Sequence, residues 1–203
     1  MNKPFQAGHA DRPLMDGRLD ACTMLPNGTG SELLSRVRLD AFTHTRLWKN
    51  PCGFAARFNY LALRYNEPLY SWVQEIFGLS RVEFVVIYSL ALMDGVTATE
   101  IAASTAFPKN TLSRAVNHLV KLGLIARFTQ DVDRRMHYLS LTEQGLAVYD
   151  AALPRFVALE QEMLAPLSLI EQETLNSLMA KVMLSMFAQV VSSEAHSDPV
   201  LEQ

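Results

Sequence analysis

The stretch Thr97–Arg127, TATEIAASTAFPKNTLSRAVNHLVKLGLIAR, decides the fold of this chain. Thr97 and Glu100 stand three apart, the spacing at which a hydroxyl and a carboxylate cap each other's backbone N–H groups at a helix start. That predicts a short helix ending near Thr105. A second helix is predicted over about Pro108–Leu122, closed by Gly123. On it Lys109, Asn110, Thr111, Ser113, Arg114, Asn117, His118 and Lys121 alternate with Leu112, Ala115, Val116 and Leu119. One face is therefore apolar, and the other is a row of hydrogen-bonding groups.

Upstream, Ser80 and Glu83 repeat the capping spacing and open a helix to about Leu92, after which Asp94-Gly95 turns the chain. Downstream the period changes. Leu124–Phe128 reads as a strand, Met136–Leu141 as its partner, and Thr129–Arg135 as a polar loop with a charged tip. Three short helices followed by a charged hairpin describe a winged helix-turn-helix. In that arrangement the second helix of the bihelical unit lies in a major groove, and the hairpin reaches the neighbouring minor groove or backbone.

Charge is distributed accordingly. The 203-residue chain carries a formal net charge of −3, which argues against a polybasic binder. Yet Phe107–Tyr138 holds six basic residues against two acidic ones, a net of +4, so the remainder carries −7. A basic reading unit on an acidic protein suits contact with phosphates at a restricted place.

Working further out, helical spacing recurs over about Ser31–Trp48 and again over Phe54–Phe77, where Pro68 is expected to kink or split the helix near Asn66. Thr142 opens a long helix to about Met163, which Pro154 is expected to kink or to end after its first half. Ser168 and Glu171 cap a last helix, striped with Leu175, Leu178, Met179, Val182, Met183, Met186, Phe187 and Val190. The expected fold is mainly α with a small β-hairpin wing. Residues 1–53 form an N-terminal extension, a flexible arm plus a helix at about 31–48. Residues 54–79 and 142–192 form a helical dimerisation domain, 80–141 the winged helix-turn-helix, and 193–203 a flexible tail.

Other classes fit poorly. Apolar residues make up 49% of the chain and charged residues 19%, so it can bury a core. No run of eighteen apolar residues suggests a membrane span, and the first thirty residues lack the apolar centre of a secretory signal. The expected compartment is the cytoplasm. Two cysteines, Cys22 and Cys52, make no disulfide framework or zinc ribbon. His9, His44, His118, His137 and His196 are scattered without metal-ligand spacing, so no metal and no cofactor are expected. The sequence holds no phosphate-cradling glycine loop, nucleophile elbow or HExxH, which argues against an enzyme. A winged helix that binds protein would want apolar anchors where Asn110, Ser113, Arg114 and Asn117 stand.

Together the stretch quoted above and Asp133–Gly145, DRRMHYLSLTEQG, resemble the MarR family of bacterial regulators. The pattern Asp133-Arg134-Arg135, then Leu139-Ser140-Leu141-Thr142 and Gly145, is the most specific part. The resemblance spans about Phe54–Val190. It implies a two-fold homodimer on double-stranded DNA, formed by interlocking N- and C-terminal helices. It also implies regulation by a small effector, often an aromatic acid or a phenolic compound, as in a repressor released by its ligand. By the same resemblance Ser113 and Arg114 face DNA, Arg134 or Arg135 is the wing arginine, and Asp133 orients it. The family usually caps the recognition helix with Ser or a similar residue where this chain has Pro108, which supplies no side-chain cap.

Arg57, Tyr60, Arg64, Tyr65 and Trp72 offer an aromatic wall with cations, suited to an aromatic carboxylate, although core or dimer packing explains the same residues. Cys52 precedes the helix that starts near Phe54. A helix N-terminus lowers a thiol pKa, and a branch of the family senses peroxide through a cysteine near this point. A redox-sensing regulator of the same fold is therefore an alternative. The helix at 31–48 adds Arg36, Arg38 and Arg46 and is expected to extend the dimer surface.

Overall fold

The structure is a computed structural model. It describes residues 40–130 and 133–195, and of residues 130, 133–135 and 187–195 the backbone alone. The expected arm, the residues before 40 of the expected helix at 31–48, and the chain beyond 195 lie outside the described residues. The chain divides into two compact units, residues 1–64 and 65–203.

In the first unit, α1 (Ala41–Trp48) starts at Asp40, whose carboxylate accepts the Thr43 N–H at 2.9 Å and the Thr43 hydroxyl. These bonds hold the Asp40 carboxyl below its usual range. The long helix α2 (Gly53–Phe77) begins in this unit and continues into the second. Pro68 does not split it as the sequence suggested. Pro68 is exposed, so water can take the carbonyl that loses its N–H partner, while the next residue, Leu69, is buried and holds that turn to the core.

In the second unit, α3 (Arg81–Leu92) opens with the capping box Ser80–Glu83, and α4 (Ala98–Thr105) with the capping box Thr97–Glu100. Both were legible as spacings. Helix α4 ends at Ala106, which takes the left-handed conformation at φ 57° and swings the chain into α5 (Lys109–Lys121). Thr142 caps α6 (Glu143–Leu164) by accepting the Gly145 N–H at 3.1 Å, and α6 runs unbroken through Pro154. Ser168 and Glu171 bond reciprocally where α7 (Leu169–Ala195) starts.

The wing differs from expectation in two ways. It has three strands, in the order β1-β3-β2: β1 (Val96–Thr97), β2 (Ile125–Gln130) and β3 (Asp133–Leu141). β1 pairs antiparallel with β3, Val96 opposite Leu139, and two residues are too few to show a period. The strands β2 and β3 also run further towards the tip than the sequence suggested, pairing Gln130 with Asp133 past a shift in register after Phe128. Backbone pairing continues there after the apolar alternation has stopped. Periodicity reports burial and is silent on that.

The core of this unit is aromatic at its centre. Phe84 of α3 stacks on Phe156 of α6 with centroids 5.1 Å apart, and Tyr70 and Tyr88 meet the same pair. Around it Leu69, Val73, Ile87, Leu90 and Ile101 are buried. The apolar face of α5 joins this core and so fixes which face of α5 turns out.

Candidate nucleic-acid interface

On α5 the side chains of Leu112, Ala115, Val116 and Leu119 are buried. Lys109, Asn110, Thr111, Ser113, Arg114, Asn117, His118 and Lys121 are all exposed. This division follows from a 3.6-residue period read against an α3–α4 platform. Pro108 is the N-cap and makes no side-chain cap bond, although its carbonyl accepts the Thr111 and Leu112 N–H groups at 2.9 and 3.1 Å. The residues sequence assigned to DNA contact therefore share one surface, apart from those of the wing tip. Asp133, Arg134 and Arg135 belong to β3, but their side chains lie outside the described residues.

Two of these side chains already have partners. Asn117 accepts a hydrogen bond from Nη2 of Arg127 on β2, and His118 Nδ1 meets Oε1 of Glu83 on α3. Glu83 is also the capping-box residue of α3, its Oε2 accepting the Ser80 N–H at 2.7 Å. The exposed face of α5 is thus braced from the wing on one flank and from α3 on the other. Ser113, Asn117, Arg127 and His137 line a cleft of about 290 Å³ between α5 and the sheet.

Arg127 is the residue that sequence reasoning missed as part of this surface. It entered the charge balance only. The signal was available in the register: Arg127 lies opposite Leu139 and two residues after buried Ile125, so it projects on the side of the sheet that packs on α5. Arg81 on α3 is engaged elsewhere, its guanidinium carbon 5.1 Å from the Tyr70 ring and 5.8 Å from the Phe107 ring.

The residues suggested for an effector fall in both units. Within residues 1–64, Arg57 donates from Nη1 to the Leu47 carbonyl at 2.9 Å, with its guanidinium carbon 4.6 Å from the Trp48 and Phe54 rings. Those contacts pin α1 to the start of α2. Arg64 lies over Tyr60 at 5.2 Å. Within residues 65–203, Tyr65 donates its hydroxyl to the Phe156 carbonyl at 3.3 Å, and burial pushes its phenol pKa up. Trp72 meets Phe77 edge-on and carries the guanidinium of Arg155 at 4.9 Å. Cys52 has an exposed free thiol, and its N–H is held by Asn50 Oδ1 at 2.8 Å. Among the described residues no group of three or more His, Cys, Asp or Glu is placed to hold a metal ion, and no helix is long and apolar enough to cross a membrane.

The arrangement has known counterparts. The family model described as MarR family matches residues 77–136. The transcriptional regulator HosA of Escherichia coli O127:H6 is 26% identical over 126 residues, 62% of this chain and 93% of that protein. A MarR-family transcriptional regulator from Silicibacter pomeroyi, solved by crystallography, superposes with a TM-score of 0.60 at 27% identity, covering 66% of this chain and 90% of that one. The crystal structure of the S. aureus MepR–DNA complex gives a TM-score of 0.58 at 21% identity over 66% of this chain and 96% of that one, a likeness of fold. A capped three-helix unit, a polar helix braced by a wing, and these relatives lead to one conclusion: residues 77–136 match the MarR family, and over about two thirds of its length the chain is similar to transcriptional regulators.

Proposed function

We propose that the protein binds double-stranded DNA as a homodimer, at an inverted-repeat operator in the cytoplasm, and represses until a small aromatic or phenolic effector releases it. The observation that carries the DNA reading is the exposed face of α5, where eight polar side chains stand over the buried Leu112, Ala115, Val116 and Leu119. With α5 in a major groove, Arg114 and Asn110 suit base edges, and Lys109, Thr111, Ser113 and Lys121 suit phosphates. Arg134 and Arg135 would brace the flanking backbone from the wing, with Asp133 orienting them. MepR supports this reading as a relative in fold whose structure contains DNA.

Dimerisation is supported by apolar side chains left in water. On α7, Leu178, Met179, Val182, Met183 and Met186 are exposed, and so are Phe54, Phe58 and Leu61 on the first turns of α2. Such stripes are what a helical interface covers. For the effector, Tyr60 and Arg64 of the first unit, and separately Tyr65 and Trp72 of the second, are side chains of the kind that suit an aromatic carboxylate. Arg57 suits one less well, because its guanidinium is already engaged.

The test is duplex binding over a range of salt. Affinity is expected to fall steeply, with a log–log slope of about −0.9 per phosphate neutralised. No binding to duplex, or binding that does not change with salt, would remove the DNA reading. The exposed thiol of Cys52 favours a second reading, redox control. Peroxide should then release DNA from the wild type and leave Cys52→Ser bound.

A further inference from the structure

The two braces on α5 differ in chemistry, because the one to α3 carries a titratable ring. Glu83 is 12% exposed and His118 50% exposed, so the ring reaches outward from a nearly buried base. Oε2 of Glu83 accepts the Ser80 N–H at 2.7 Å and the Ser80 hydroxyl at 2.8 Å, which leaves Oε1 for Nδ1 of His118. Burial pushes the Glu83 carboxyl up, but the bonds from Ser80 and His118 outweigh it and hold the carboxyl below its usual range. An ionised carboxylate only accepts, so the proton of the neutral ring must sit on Nδ1. The far nitrogen, Nε2, is then a bare acceptor in the neutral ring and an N–H donor in the charged one.

The other charged groups on elements packed against α5 are occupied or point elsewhere. Arg81 on α3 lies over Tyr70 and Phe107, Glu100 on α4 is turned into its own box at Thr97, and Arg127 on β2 is bonded to Asn117. Arg114 stands one helical turn before His118, and Lys121 three residues after it, on the exposed side of α5. Among the described residues Glu83 is the carboxylate in contact with the ring.

We propose that Glu83 is a positioning residue for DNA binding: by holding Nδ1–H of His118 it offers Nε2 to the duplex, as an acceptor while the ring is neutral and as a donor to a backbone phosphate once the ring is protonated. The inference rests on the reading of α5 as the DNA-binding helix. It makes the charged ring a better partner for the duplex than the neutral one. The added bond is charge-assisted, so a gain of about tenfold is expected on protonation of the ring.

Two measurements test it. In the free wild-type protein, long-range nitrogen–proton NMR should show His118 as the Nδ1–H tautomer at neutral pH, and an Nε2–H tautomer would overturn the proposal without any DNA present. Binding of a labelled mixed-sequence duplex is then followed from about pH 8 to about pH 5.5 at fixed ionic strength. The wild type should tighten about tenfold, His118→Gln should lose that dependence, and Glu83→Gln should lose affinity mainly at the upper end of the range, where the tautomer of the neutral ring is no longer fixed. A merely structural Glu83 would scale affinity equally at every pH. The proposal fails if His118→Gln keeps the wild-type profile, if Glu83→Gln loses the same affinity at both ends of the range, or if salt-dependent binding is flat with pH. Absence of duplex binding at any pH removes the DNA reading, and this inference with it.

Discussion

Arg127 on β2 donates through Nη2 to the side-chain oxygen of Asn117 on α5, joining the wing to the helix proposed to enter the groove. The two residues are ten apart in sequence and both are exposed, so the bond orients them more than it stabilises the fold. An Asn with its oxygen occupied presents its NH2 outward, which sets what Asn117 can offer a base edge.

Arg127→Ala should therefore weaken duplex binding by about 1 kcal/mol and do little to thermal stability. Asn117→Ala should cost a similar amount, and the double variant less than the sum, with a coupling of about 0.5–1 kcal/mol. A double-mutant cycle on DNA affinity checks this. Strict additivity would mean that the two side chains act separately.

Arg114 stands on the exposed side of α5 with its neighbour Ala115 buried beneath it. Arg114→Ala should weaken binding to a sequence selected from a random pool by about 1–3 kcal/mol, and binding to mixed-sequence duplex by less. Equal losses on both would reassign Arg114 to a phosphate.

Gly145 sits in the first turn of α6, where an added Cβ would lie 2.0 Å from the carbonyl oxygen of Leu124 at the start of the wing. Backbone is what it would strike, so the wing root or the helix start must move. Gly145→Ala should destabilise the fold by about 1–3 kcal/mol, measured by denaturant unfolding. A melt identical to wild type would show that this junction gives way easily.

Three capping carboxylates set the acid limit of the fold. Glu83 is held below its usual range as described, Glu100 by the Thr97 N–H and hydroxyl, and Glu171 by the Ser168 hydroxyl and N–H. A carboxyl depressed in the folded state contributes stability above its unfolded pKa and loses it as pH falls through the folded value. The melting temperature should thus be level near neutrality and drop once pH passes below the ordinary carboxylate range. Glu83→Gln should flatten that drop, and calorimetry across acid pH reads it directly.

Much of this fold could be read from spacing alone. The boxes at Ser80–Glu83, Thr97–Glu100 and Ser168–Glu171 are local, so sequence separation of three residues contained the whole signal. The polar row of α5 was equally legible, since a buried Leu112 or Leu119 dictates which residues face out. What sequence did not reveal is pairing at a distance. Strand β1 has two residues and exists because β3 is beside it, and Arg127 matters because a register brings it to Asn117. The partners of Arg57 were hidden for the same reason: its cation looked free for a ligand, but the Leu47 carbonyl and two rings occupy it.

Ala106 holds a left-handed backbone that glycine adopts without cost, so the elbow between α4 and α5 carries a methyl group at an expense of about 1 kcal/mol. That expense narrows the geometries open to the hinge. Ala106→Gly would relax the local tension and widen the range of attitudes in which α5 leaves the elbow, so the loss would show in how often the helix meets a groove correctly aligned rather than in how well it holds once there.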